Sequence, residues 1–255
     1  MGTALVKVAH QAKDVKLVGA IDHSASNKIG NDIGEMAGLG KIGIPMTGSI
    51  EELLGTFDTL IDFSTPEATA NNAAICAHRG LTLVVGTTGL VKEQLEAVRS
   101  AAHYTPICMA SNFSTGVNLC FKLASITAKV LGDEVDIEIS EAHHRDKVDS
   151  PSGTALALGA SVTNALNRNL DDVAIYRREG LIGERPKKAI GFSSIRAGDI
   201  VGDHTILFAG DGELVEITHR ASNRLAFARG AVRAAIWLNQ KSAGLYDMQD
   251  VLGLS

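Results

Sequence analysis

Through the first two-thirds of this 255-residue chain, short apolar runs alternate with amphipathic stretches of helical length. This alternation narrows the fold more than any other feature. Lys16–Ile21, Thr59–Phe63, Leu81–Val85 and Pro106–Met109 each have the length and apolar content of a buried strand. Helical patterns follow the last three: from Pro66 to about Ala77, from Lys92 to Ala102, and from beyond Asn112-Phe-Ser to about Leu131. Strands and helices in this order predict a parallel sheet with helical crossovers. In such sheets ligands bind beyond the carboxyl ends of the strands. Asp22, Ser64, Gly86–Gly89 and Asn112 all fall at those ends.

The pattern changes after Glu134. Val135–Ile139 alternates apolar and polar residues, as a strand with one buried face should. Lys188–Phe192, Thr205–Phe208 and Glu213–Thr218 read as further strands, the last two joined by a Gly210-Asp211-Gly212 hairpin turn. Ala226–Leu238 returns to a strong helix. The expected class is α/β: a Rossmann-type nucleotide domain with an inserted α+β domain. Its expected limits are residues 1–114 for the first part, 115–222 for the insert and 223–255 for the return. Ser24–Gly43, rich in Gly, Ser and Asn, is read as a mobile loop.

The densest chemistry lies in Glu141-Ala-His-His-Arg-Asp-Lys-Val-Asp-Ser-Pro-Ser-Gly-Thr-Ala155. Pro151 ends the preceding segment, and Ser152, Gly153 and Thr154 open an apolar helix. The first amides of such a helix have no intrahelical partner and attract a carboxylate or phosphate. His143, His144 and Lys147 add donors just upstream, a set suited to gripping a small acid and moving protons on it. A metal site in this run is disfavoured. Lys147 would repel a cation, and adjacent histidines on an extended segment point to opposite faces.

This run resembles the signature of the 4-hydroxy-tetrahydrodipicolinate (dihydrodipicolinate) reductases of lysine biosynthesis, and about a dozen positions match in order. Val85-Gly86-Thr87-Thr88-Gly89 and Ala110-Ser111-Asn112-Phe113-Ser114 extend the likeness. The resemblance implies His143 and Lys147 as catalytic proton carriers, with His144, Ser152, Gly153 and Thr154 holding a small dicarboxylate substrate. It further implies a nicotinamide cofactor, NADH or NADPH, contacted by Met1, Asp22, His23, Gly86, Thr87, Thr88, Ala110, Ser111, Asn112 and Phe113. A homotetramer built through the sheet of the inserted domain is also implied.

The likeness stops at the N-terminus. A Rossmann domain opens with a strand and a glycine-rich turn roughly 20 residues before its acidic ribose-binding residue. Asp22 suits that residue, yet only Met1-Gly2 and a helical pattern through Leu5, Val6, Ala9 and His10 precede it. Met1-Gly2 is similar to the end of the family's Gly-Arg-Met-Gly segment, so the chain is expected to begin inside the motif, without the first strand. A carboxylate at Asp22 favours free ribose hydroxyls. His23 stands where many members carry an arginine, so NADH is expected to serve at least as well as NADPH.

Bulk properties exclude other classes. Lys plus Arg total 24 against 29 Asp plus Glu, a net charge of −5, and aromatics are 4%. Nothing here suggests a nucleic-acid partner. No apolar stretch approaches membrane-spanning length, and the leading residues do not read as a secretory signal. Cys76, Cys108 and Cys120 read as buried thiols in a reducing, cytoplasmic setting. The rival reading is a non-catalytic dicarboxylate-binding or regulatory protein without cofactor binding; another Rossmann reductase, such as an aspartate dehydrogenase, fits the His143-His144-x-x-Lys147 run poorly.

Overall fold

The structure, a computed structural model, describes residues 1–254. In chain order it begins with α1 (Gly2–Gln11), β1 (Ala20–Ile21), α2 (Ile33–Met36) and β2 (Met46–Thr47). Three strand–helix pairs follow: β3 (Thr59–Asp62) with α3 (Pro66–Arg79), β4 (Thr82–Val85) with α4 (Lys92–Ala101), and β5 (Pro106–Met109) with α5 (Thr115–Leu131). Next come β6 (Asp136–His143), α6 (Gly153–Ala165), α7 (Leu170–Val173), β7 (Ala174–Ile175) and β8 (Ile190–Arg196). The last elements are β9 (Asp203–Gly210), β10 (Glu213–Arg220), α8 (Leu225–Leu238), β11 (Gly244–Tyr246) and α9 (Met248–Leu252). Among the described residues no helix is long and apolar enough to cross a membrane. The chain divides into two compact units: Met1–Thr115 with the chain from Arg224 onward, and Gly116–Asn223.

The first unit is built on an all-parallel sheet ordered β11-β5-β4-β3. Every residue of β4 is buried, because both faces of the sheet are covered. Leu83, Val85 and Ile107 pack against Ala73 and Cys76 of α3 and Val98 and Ala101 of α4. Val84 and Cys108 point the other way, into Ala231, Ala234 and Leu238 of α8. That helix lies very close to the chain after β5. A Cβ built on Gly230 would stand 1.7 Å from the Phe113 carbonyl oxygen, so only glycine fits there. Burial raises the thiols of Cys76 and Cys108 to about 12, which keeps both protonated and inert.

Several expectations are corrected here. The run Lys16–Ile21 forms a ladder only at Ala20 and Ile21, parallel to Met46 and Thr47, and among the described residues no strand links it to β3. A run needs a neighbour to become a strand, and β2 offers only two residues. Ser24–Gly43 is loop apart from α2 and an isolated bridge, and it is organised around Asp32, whose carboxylate caps α2 and accepts the amides of Gly34, Glu35, Ile42 and Gly43. Cys120 is half-buried rather than buried. The short elements α7, β7, β11 and α9 go beyond the expected set.

The second unit carries a mixed sheet ordered β10-β9-β6-β8-β7, with β6 antiparallel to β9 and parallel to β8. Gly210 pairs with Glu213, which bears out the hairpin and leaves Asp211 and Gly212 as its turn. Strands β6 and β8 both run four residues past their expected ends. One face of the sheet is packed by Ala124 and Ala128 of α5 and by Ala155, Leu158 and Val162 of α6. On that face Ile137, Ile190 and Phe208 form one row, and Ile139, Phe192 and Ile206 form the next. Alternation then puts Glu141, Ser194 and His204 in the third row, and His143 with Arg196 in the fourth. The apolar core thus ends in a polar row on the same face.

Candidate functional site

That polar end meets the start of α6. Glu141 and His143 are 2% and 8% exposed, and their side chains touch, Glu141 Oε2 lying 2.6 Å from His143 Nδ1. Arg196 grips the same carboxylate with both Nη atoms, each at 2.8 Å, and reaches the Asp149 carbonyl at 2.6 Å. The Ser152 amide donates to Glu141 Oε1 at 3.2 Å. Ser152 also caps α6, its Oγ accepting from the Ala155 amide and lying 3.0 Å from His204 Nε2.

Charges follow from this packing. Burial would raise the Glu141 carboxyl, but hydrogen bonds from Arg196, Ser194 and His143 hold it down at about 2. Burial lowers His143 below its ordinary value of 6.5. The opposing pull of Glu141 does not restore it, and Lys147 and Arg196 push it further down. His143 is therefore neutral at pH 7, with Nδ1–H directed at Glu141 and Nε2 making no hydrogen bond among the described residues. Burial, then His143, takes His204 down to about 4.

His204 is 5% exposed, so its lowered value is a statement about stability. A histidine depressed on folding binds its proton more readily in the unfolded chain. Its contribution is complete above about 6.5 and is lost as pH falls toward about 4. The loss is on the order of 3 kcal/mol. Urea unfolding across this window should show the decline, and His204→Gln should flatten it. A variant with an unchanged slope would remove His204 as the cause.

Other expected residues are less uniformly placed. Lys147 Nζ pairs with Asp149 Oδ1 at 2.6 Å, within the loop that Arg196 ties down. Among the described residues no hydrogen bond of the His144 ring joins it to this network; its carbonyl accepts the Lys147 amide at 3.2 Å. Gly153 opens α6 with an exposed amide that has no partner among the described residues. A Cβ there would meet nothing within 4 Å, so an anion can reach the backbone.

In the first unit the strand ends do gather polar groups. Asp22 accepts the His23 amide at 2.9 Å, Ser26 Oγ at 3.0 Å and Lys28 Nζ at 3.0 Å, and Lys28 foremost lowers its carboxyl. Buried Asp62, at the end of β3, accepts the Ser64 amide and Asn72 Nδ2. Thr87 is buried beside it, bonded to the Ser64 amide and Thr69 Oγ1, whereas Thr88 is exposed. Gly86 lies against the Phe63 ring, where a Cβ would come within 2.2 Å. Phe113 is 1% exposed and packs on Phe63 at 5.6 Å, so its ring belongs to the core. Asn112 Oδ1 accepts the Ser114 amide at 2.8 Å, while Ala110 is half-buried and Ser111 exposed. Met1 caps α1 and accepts the Ala4 and Leu5 amides, which leaves those of Gly2 and Thr3 outward.

Known proteins match nearly the whole chain. A family model described as the N-terminus of dihydrodipicolinate reductase matches residues 1–113, and one for its C-terminus matches residues 116–252. The chain belongs to the dihydrodipicolinate reductase family. It is 53% identical over 254 residues to the 4-hydroxy-tetrahydrodipicolinate reductase of Saccharophagus degradans, covering 100% of this chain and 95% of that protein. The enzyme of that name from Alkalilimnicola ehrlichii is 54% identical with the same coverage. A dipicolinate-bound dihydrodipicolinate reductase from Paenisporosarcina sp. TG-14 superposes with a TM-score of 0.75 at 25% identity, covering 98% of this chain and 94% of that one. The run Glu141–Ala155 occupies the end of β6, the following loop and the first turn of α6. Sequence reading gave Glu141 no role of its own and missed Arg196 and His204, which come from other strands.

Proposed function

We propose that this chain reduces 4-hydroxy-tetrahydrodipicolinate to tetrahydrodipicolinate with NADH or NADPH, in the diaminopimelate route to lysine. The observation that carries this reading is a neutral, carboxylate-bound His143 beside the open amide end of α6. The amides of Gly153 and Thr154, with the Thr154 hydroxyl and the His144 ring, hold the carboxylates of the substrate; Ser152 fixes the turn. His143 Nε2 accepts the proton released next to the hydroxyl-bearing carbon as water leaves, and later returns one. Lys147, released from Asp149, protonates the departing hydroxide and attracts the dianion. The nicotinamide, when bound, supplies the hydride that completes the reduction.

The first unit is the dinucleotide-binding part. The outward amides of Gly2 and Thr3 suit a pyrophosphate, and Asp22 suits the ribose. Lys28 beside Asp22 supplies a cation for a 2′-phosphate, so one site serves both cofactors. Gly86, Thr88, Ala110, Ser111 and the backbone at Asn112 and Phe113 line its nicotinamide end; Thr87 keeps that loop in shape. The second unit is the substrate and oligomerisation part. Ile195 of β8 and Leu214 of β10, both exposed in the single chain, support the homotetramer. A biosynthetic reductase with buried free thiols belongs in the cytoplasm.

Calorimetric titration with pyridine-2,6-dicarboxylate tests the anion site. The wild-type chain should bind it, and Thr154→Val and His144→Ala should each bind roughly ten- to a hundredfold more weakly, as loss of a hydrogen bond to a charged group predicts. Equal affinity in all three proteins would put the anion site elsewhere. Tight dicarboxylate binding without any turnover would favour the non-catalytic alternative.

A further inference from the structure

Glu141 is the buried charge of the second unit that the proposed chemistry leaves without a task. Its carboxylate is 2% exposed, and His143 Nδ1, both Nη atoms of Arg196, the Ser152 amide and Ser194 converge on it. A carboxylate facing Nδ1 at 2.6 Å stabilises one tautomer of the neutral ring, that with hydrogen on Nδ1. The other nitrogen is kept clear. Gly202 lies beside it, and a Cβ there would come within 3.0 Å of Nε2. Arg196 is shared between this carboxylate and the Asp149 carbonyl, and so reaches the short loop that carries Lys147.

We propose that Glu141 and Arg196 are a positioning pair for the reduction, Glu141 holding His143 as the Nδ1–H tautomer with Nε2 as proton acceptor, and Arg196 orienting Glu141 while fixing the Lys147 loop. The proposal rests on the catalytic role assigned above to His143. The charged and titratable groups facing that ring are Glu141, Arg196, Lys147 and His204. Glu141 alone pulls the His143 value upward; the cations and burial pull it down.

Nitrogen-15 spectra of the His143 ring in the full chain, read with pH–rate profiles, test the pair. The wild-type ring should be neutral at pH 7 with hydrogen on Nδ1. Glu141→Gln should lose the single tautomer and reduce kcat by about tenfold or more, with KM changing much less. The acid limb of its profile should move to lower pH, since the charge that raises His143 is gone. Glu141→Asp should recover part of kcat, and Arg196→Lys, which keeps the charge but not the fork, should fall between.

A wild-type ring carrying hydrogen on Nε2, or protonated at pH 7, overturns the proposal whether or not the variants fold. So does a Glu141→Gln protein with unchanged kcat and acid limb. The function itself fails by a different result, a wild-type chain that neither turns over nor binds dipicolinate.

Discussion

His143→Gln is expected to lower turnover by ~10²–10⁴-fold, the usual worth of a general acid–base group, while the fold survives. Glutamine can fill the space of the ring but cannot cycle a proton near neutral pH. Survival of the fold follows from Arg196, which still pairs both oxygens of the buried Glu141 carboxylate after the ring is gone. The costly case, a buried charge without a partner, is thereby avoided. Lys147→Ala should lose turnover too, with less structural effect, since its partner Asp149 is exposed. Steady-state rates with NADH, beside circular dichroism melts, separate activity from folding. Near-wild-type turnover in either variant would remove that residue from the mechanism.

Gly230→Ala should destabilise the first unit by about 3 kcal/mol, at the upper end of the usual cost of overpacking. Helix propensity alone predicts the opposite sign, since alanine is favoured over glycine inside a helix by roughly 1 kcal/mol. Sterics decide the matter. The added methyl would stand 1.7 Å from the Phe113 carbonyl oxygen and 2.7 Å from its carbon, and backbone cannot rotate away as a side chain can. Either α8 lifts off Val84, Cys108 and Phe113, or the chain after β5 shifts. A thermal melt should show a fall of roughly 6–12 °C. A variant that melts with the wild type would mean that α8 has room to move.

The parallel sheet of the first unit was legible because its strands are short apolar runs buried on both faces, as at Leu81–Val85. The residues proposed as proton carriers and anion loop drew notice for another reason: His143, Lys147 and Ser152–Thr154 are neighbours in sequence. Arg196 was not, because it meets Glu141 across 55 residues of chain, and His204 meets Ser152 across 52. Only the register of three strands brings them together. The extension of β6 to His143 was hidden because its last core-facing positions are Glu141 and His143, so the apolar alternation ends before the strand does. The strand expected from Lys16 was overestimated, because apolar content marks what can be buried and not which neighbour is available to pair. Thr87 and Phe113 sit at strand ends as expected, yet their side chains turn inward to Asp62 and Phe63, which the linear sequence does not reveal.

The division of the chain has a consequence for synthesis on the ribosome. The second unit is one continuous segment, Gly116–Asn223, and all its strands are available once that segment has emerged. The sheet of the first unit takes its edge strand β11, and the cover for one face, from beyond Arg224. Until those residues appear, Val84 and Cys108 have no α8 to pack against, and β5 keeps one open edge. The usual N-terminal-first order of co-translational folding is therefore reversed. The inserted unit can be complete while the surrounding one still waits, and during that interval the exposed parallel strands are the segment most in need of a chaperone.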